Sequence, residues 1–328
     1  MSCILYTAHF FSIYVNIVIG GYCMILYKNG NHIVKIFEDG TKIKETINSD
    51  DEYFTHEFAE NCDIKITDYC DAGCAYCHEG SSINGKVADI LSMNHIWDSL
   101  MPGTEMAIGG GNALSHPNLV EWLHILKRKG VLANITVNQK HIESYKDLIK
   151  NLIDNNLIHG LGISLTDSKN FPVEIVDSFG GNVVIHTIAG ILTEDDLNIL
   201  RNRKVLILGY KMLRRGESFF SSIVKSNIEW LTDNLTRIAN IASVLSFDCL
   251  AIEQLNPLKN LNIQIEDWVQ YFQGDDHDVF DNSGNIKCST FYIDAVEKTV
   301  ARTSTTSFEN RKPIEDCDNI ISLFRKSL

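Results

Sequence analysis

Proline is scarce, five residues in 328, and extended spacers between independent modules are therefore not expected. Basic charge is also short. Lys plus Arg number 29 against 42 for Asp plus Glu, a net charge of −13. A chain this acidic gains nothing from unspecific phosphate neutralisation, which excludes bulk nucleic-acid binding but leaves room for a locally basic pocket. No low-complexity tract and no solenoid-type repeat occurs. No Lys, Arg, Asp or Glu precedes Lys28, so the apolar stretch Phe10–Tyr27 lacks the basic flank of a membrane anchor or signal peptide. Ile13–Ile19 and Tyr22–Tyr27, parted by Gly20-Gly21, read as a hairpin. Met24 as the natural start, with an upstream extension before it, is an equal reading. A membrane-associated segment is the third.

What is present is globular: 45% hydrophobic and 22% charged residues, ample for a core in one large domain or two ordinary ones. A hairpin is expected over Ile33–Phe37 and Lys42–Ile47, turning at Asp39-Gly40. Short β-type runs then recur at Asp63–Thr67, Glu105–Ile108, Asn134–Val137, Gly162–Leu165, Val183–Ile188, Val205–Leu208 and Val244–Asp248. Helical patterns lie between them. One has Ser115 and His116 near its cap, Pro117 in its first turn, Leu119, Val120, Leu123 and Leu126 on one face, and Gly130 as its stop. Ile142, Tyr145, Leu148, Ile149, Leu152 and Ile153 form a second stripe, and Ile228, Leu231, Leu235 and Ile238 a later one. Thr193 with Asp196 suits a helix start. Strand, helix, strand at this spacing predicts an α/β fold with a parallel sheet, either a partial β/α barrel or an open doubly wound sheet. Both place chemistry at the carboxyl ends of the strands. From Phe280 the pattern changes to a hairpin, Ile286–Ala295 and Glu297–Ser304, expected to cap one end. The resulting division is a lead-in over 1–60, a β/α unit over 61–255 and a C-terminal cap over 256–328.

Nine cysteines, an odd number in a long chain, do not resemble a disulfide framework. Three of them, Cys70, Cys74 and Cys77, are spaced C-x3-C-x2-C directly after the first strand of the repeating series. Thiolates on one short loop can bind three irons of an iron–sulfur cube and leave the fourth iron open to a ligand. Metal or cofactor chemistry in a reducing, cytoplasmic setting is the expectation. Cys249, Cys288 and Cys317 are isolated and read as buried small hydrophobes, so a single cluster is expected.

The stretch Lys65-Ile66-Thr67-Asp68-Tyr69-Cys70-Asp71-Ala72-Gly73-Cys74-Ala75-Tyr76-Cys77 resembles the radical S-adenosylmethionine (SAM) superfamily, whose signature is C-x3-C-x-aromatic-C after the first barrel strand. Gly109-Gly110-Gly111-Asn112-Ala113-Leu114-Ser115-His116-Pro117, after the second strand, resembles the family's Gly-Gly-Glu-Pro-Leu loop, with Asn112 at the Glu position and Ala113 at the Pro position. The resemblance implies a partial (β/α)6-type radical SAM barrel with an N-terminal β-hairpin and a C-terminal β-hairpin cap. It implies a [4Fe–4S] cluster on Cys70, Cys74 and Cys77. SAM would lie against Gly110, Gly111 and Asn112, and a 5′-deoxyadenosyl radical would abstract hydrogen from a substrate shielded in the barrel. The exact contact at Asn112 departs from the family, which has a carboxylate there. By position, Asn138 after the third strand and Ser164 at the end of the fourth are further SAM contacts. The implied partners are a small substrate (nucleoside-like, amino acid or short peptide) and a reductant such as flavodoxin or ferredoxin.

Other polar residues stand at strand ends. Lys211, Arg214 and Arg215 follow the sixth strand and suit either an anionic group or a solvated basic surface; His186 suits a hydrogen-bonded core position. Asp248, Cys249 and Glu253 are substrate-side candidates. Two rival readings concern the triplet itself. Cys74-Ala75-Tyr76-Cys77-His78 satisfies the c-type haem pattern C-x-x-C-H, and the triplet plus His78 satisfies a zinc-binding module. Neither explains the glycine loop.

Overall fold

The computed structural model describes residues 14–19, 22–51, 54–262 and 288–325. An antiparallel meander comes first: β1 (Tyr14–Ile19), β2 (Tyr22–Asn29), β3 (His32–Phe37) and β4 (Lys42–Thr46), each paired with the next. Both expected hairpins are therefore present within one four-stranded sheet. Ile13, the Gly20-Gly21 turn and most of the supposed upstream extension lie outside the described residues.

The second sheet contains β5 (Asn61–Thr67), β6 (Glu105–Gly110), β7 (Leu132–Asn138), β8 (Gly160–Ser164), β9 (Val183–Ile188), β10 (Lys204–Leu208) and β11 (Val244–Phe247). These strands are parallel and adjacent in chain order, and parallel neighbours need crossover connections, which here carry the helices. The mixed α/β fold with a parallel central sheet is the one expected. β12 (Thr290–Asp294) pairs in parallel with the outer edge of β5, and β13 (Thr299–Ala301) and β14 (Lys312–Pro313) continue antiparallel from it. The C-terminal hairpin thus attaches by extending the sheet beyond the cysteine-bearing strand. Its expected start, from Phe280 to residue 287, lies outside the described residues.

Side chains alternate across each strand. Outward residues such as Ile64, Ile66, Met106, Ile108, Ile135, Ile163, Ile185 and Ile207 are buried under the helices. The helix Leu119–Arg128 covers them with Leu119, Trp122, Leu123 and Leu126, and the helix Ser222–Ile241 with Leu231, Leu235 and Ile238. The inward face carries Asp63, Ala107, Thr136 and His186, together with the apolar Ile188, Leu206 and Leu208, and lines a hollow. Gly162 makes room for the His186 ring: a Cβ there would lie 2.6 Å from Nε2.

Helix starts differ from expectation in one instructive place. Pro117 holds His116 extended (φ −68°, ψ 123°), so the helix begins at Leu119 and the preceding turn closes at Ser115. The buried His116 ring accepts the Asn118 N–H at 3.1 Å, so of the two residues expected near the cap it is His116 that supports the helix start. At Thr193 the N–H donates to the Asp196 carboxylate at 2.9 Å, as a capping pair requires.

Candidate active site

The cysteines occupy a loop that leaves β5 at Thr67 and is stitched into a broad turn. Cys70 N–H donates to Ser82 O (2.9 Å), Ser82 N–H to Asp68 O (3.0 Å) and Asp68 N–H to Lys86 O (2.8 Å). Gly73 takes a left-handed conformation (φ +64°) between the first two cysteines. All three thiols are free and half-buried. Burial raises the Cys74 thiol pKa, while Lys140, Asn138 and Arg215 pull it down.

Three distant segments grip this loop. Arg215 spreads its guanidinium over three carbonyls: Nε to Cys74 O (3.1 Å), Nη1 to Gly80 O (3.3 Å) and Nη2 to Ser81 O (2.9 Å). Lys140 Nζ donates to Ala72 O at 2.7 Å. The Gly109–Gly111 turn docks edge-on, with Gly111 N–H donating to Thr67 O (2.7 Å) and Asn112 N–H to Tyr69 O (2.6 Å). Gly110 has φ +107°, and a Cβ on it would lie 2.5 Å from Thr67 O. Gly109 differs, because a Cβ there would meet nothing within 4 Å and would project into open space.

A buried ion network lies beneath the loop. Lys65, 3% exposed, contacts Asp294 at 2.6 Å and Asp68 at 3.0 Å, and Asp294 also receives Arg311 at 3.0 Å. Glu79 stands 3.9 Å from Lys65 and 3.2 Å from Arg214. Burial works against its charge, but His78, Lys65 and Arg214 bring its pKa down to about 2. The carboxylate is therefore ionised throughout the neutral range. His78 turns its Nε2 toward Glu79 at 3.4 Å.

Cys70, Cys74, Cys77, Gly110, Gly111, Asn138 and Ser164 all line one cavity of about 440 Å³ at the carboxyl ends of the strands. Asn112 departs from this set. It is 2% exposed, does not line the cavity, and directs its amide toward Asp71 at 3.5 Å, beside the 2.8 Å contact of Asp71 with His141. The short amide reaches the cysteine loop where it takes part in ordering Asp71. Of the remaining candidates, His186, Lys211, Arg215 and Asp248 reach the cavity, whereas Arg214, Cys249 and Glu253 do not. Arg215 is engaged by the loop carbonyls, and Asp248 caps the helix Cys249–Leu255 through Ala251 N–H at 2.7 Å. Lys211 touches Ser304 Oγ at 2.8 Å. His186 lines the cavity half-buried, and desolvation lowers its pKa to about 4, so it is neutral.

Sequence reasoning missed Gly109, Lys65, Glu79 and Tyr292 as cavity residues. Gly109 was legible as the first of three consecutive glycines. Tyr292 comes from the far end of the chain and gives no local signal.

No family model matches the chain. It is 31% identical over 104 residues to the ribosome maturation factor RimM of Wolbachia sp. subsp. Brugia malayi (strain TRS), a match over 30% of this chain and 62% of that protein. Among solved structures it is similar to Streptococcus suis SuiB bound to the precursor peptide SuiA, with a TM-score of 0.57 at 13% identity over 83% of this chain and 65% of that one. SuiB bound to S-adenosylmethionine superposes with a TM-score of 0.53 at 15% identity, over 79% of this chain and 64% of that one. The chain has the radical SAM fold. It spans less than two thirds of the length of the relatives it matches. In the radical SAM fold as built here, the cysteine loop follows the first parallel strand and the glycine turn follows the second. Among the described residues no helix is long and apolar enough to cross a membrane.

Proposed function

We propose that this chain is a radical SAM enzyme in which Cys70, Cys74 and Cys77 hold a [4Fe–4S] cluster and SAM lies against Gly109–Gly111. The observation that carries the reading is that three free thiols on one loop, and the glycine turn pressed against that loop, face a single cavity. The donor set fits a cluster. Ligand atoms gathered within 4.8 Å of one another occur, among the described residues, in His32–His56–Glu60 and in Cys70–Asp71–His141, and the cysteine triplet is not so gathered. A single tetrahedral zinc, with Zn–S near ~2.3 Å, needs its sulfurs closer together than that. A cube binds each thiolate through a different iron and spreads them apart. His78, the fourth ligand of the zinc reading, is turned toward Glu79. The c-type haem reading leaves Cys70 and the glycine turn without a role.

Held by Cys70, Cys74 and Cys77, a reduced cluster would supply the electron for cleavage of SAM to methionine and a 5′-deoxyadenosyl radical. The chain's own residues do the rest. Arg215 and Lys140 fix the loop so that the three thiols keep their orientation. The missing side chain at Gly109 leaves space for the cofactor beside the loop. Ser164 offers a polar contact along the cavity wall, and neutral His186 can present a hydrogen-bond donor or acceptor to a substrate without adding charge. The substrate is a nucleoside-like molecule, an amino acid or a short peptide; the peptide bound by SuiB supports the last. A flavodoxin or ferredoxin would supply the electron.

The test is anaerobic reconstitution with iron and sulfide, followed by dithionite and SAM. Cluster-dependent 5′-deoxyadenosine is the expected product. Bound zinc or haem with SAM left intact would overturn the reading.

A further inference from the structure

Asn138 ends β7, where strand-end polar groups commonly meet ligands, yet both ends of its amide are already directed. Its Oδ1 accepts the Lys140 N–H at 3.0 Å, and that bond fixes which way the amide faces. Its Nδ2 is thereby turned to the Cys74 sulfur at 3.3 Å. Among the described residues, Cys74 is the one member of the triplet whose sulfur receives a side-chain hydrogen bond. Two residues on, Lys140 Nζ binds Ala72 O at 2.7 Å, so the same turn holds the loop on the amino side of Cys74.

A hydrogen bond to a ligating sulfur withdraws charge from it, and that favours the more negative, reduced state of an iron–sulfur cluster. We propose that Asn138 tunes the cluster: its amide donates to the Cys74 thiolate and raises the reduction potential. The inference rests on the cluster reading above. Asn138 is a positioning residue in this role and acts through Cys74 rather than on SAM or substrate.

The experiment is a redox titration of the reconstituted full-length protein, followed by electron paramagnetic resonance, with iron content and SAM affinity measured on the same samples. Asn138→Asp keeps the acceptor for Lys140 N–H and replaces the donor by a charged oxygen. Asn138→Ala removes both. The midpoint should shift to more negative values in each variant, further in Asn138→Asp, with iron near about four per chain. An unshifted midpoint in both variants overturns the proposal. Weakened SAM binding with an unshifted midpoint also overturns it and assigns Asn138 to the cofactor. Iron lost from both variants, with wild type loaded, overturns it as well and marks a purely structural role. A wild-type protein that takes up no cluster fails the function proposal instead, before this one is reached.

Discussion

Gly111 is pressed against Tyr69 so closely that a Cβ at Gly111 would lie 2.0 Å from the Tyr69 carbonyl oxygen. The glycine turn is thus built to receive the cysteine loop. Gly111→Ala forces one backbone away from the other, which should cost about 1–3 kcal/mol and disturb the cysteine loop. Thermal melting and iron uptake check this. Wild-type values for both would show that the two backbones can part without consequence.

Gly109 is the contrasting position. Gly109→Ala meets no atom within 4 Å, so stability should change by less than about 0.5 kcal/mol. The methyl group enters the cavity, and SAM affinity should fall by about tenfold, or ~1.4 kcal/mol. Equilibrium dialysis with SAM reads the effect, and unchanged binding would move the cofactor away from this turn.

Arg215→Ala removes three hydrogen bonds to the carbonyls of Cys74, Gly80 and Ser81. A loss of about 2–4 kcal/mol is expected, because these carbonyls lose charge-assisted donors together. Arg215→Lys should recover only part of it, since an ammonium cannot span three acceptors. Denaturant titration of the two variants gives the comparison.

Cys70→Ala, Cys74→Ala and Cys77→Ala should each abolish the iron–sulfur absorbance. Replacement of Cys249, Cys288 or Cys317 should leave about four irons per chain. Iron analysis separates the two groups, and loss in the second group would mean a second cluster.

Acid sensitivity follows from His186. Burial lowers its pKa from 6.5 to about 4, so the fold favours the neutral ring. Its contribution is complete above pH 6.5 and is lost as the pH falls from there through about 4. His186→Asn should therefore show a smaller drop in melting temperature than wild type between about pH 7 and about pH 4.5. Identical drops would mean that the ring is not held neutral.

Much of this was legible in the sequence, for physical reasons. The parallel strands are short β-branched runs whose burial is decided by their own composition, so Val183–Ile188 was found at its observed bounds. The cysteine loop and glycine turn were legible because each is a run of distinctive residue types within one local segment. The clamp was not. Arg215 acts on carbonyls more than a hundred residues earlier, and a basic residue after a strand reads equally as solvated surface. Asn112, read as a cofactor contact from its place in a motif, directs its amide toward Asp71, a placement the motif does not signal. The ion pairing of Lys65 gives no local signal, because its partner Asp294 lies more than two hundred residues downstream.

That last pairing has a consequence for assembly. β5 carries the cysteine loop, and one of its edges is satisfied only by β12, more than two hundred residues downstream. During synthesis the cysteines emerge long before the strand that completes their support. Until then β5 presents an open edge and Lys65 lacks its deepest counter-ion, which is a hazard for strand addition by another chain. Support for the cysteine loop is thereby completed only once β12 has joined the edge of β5.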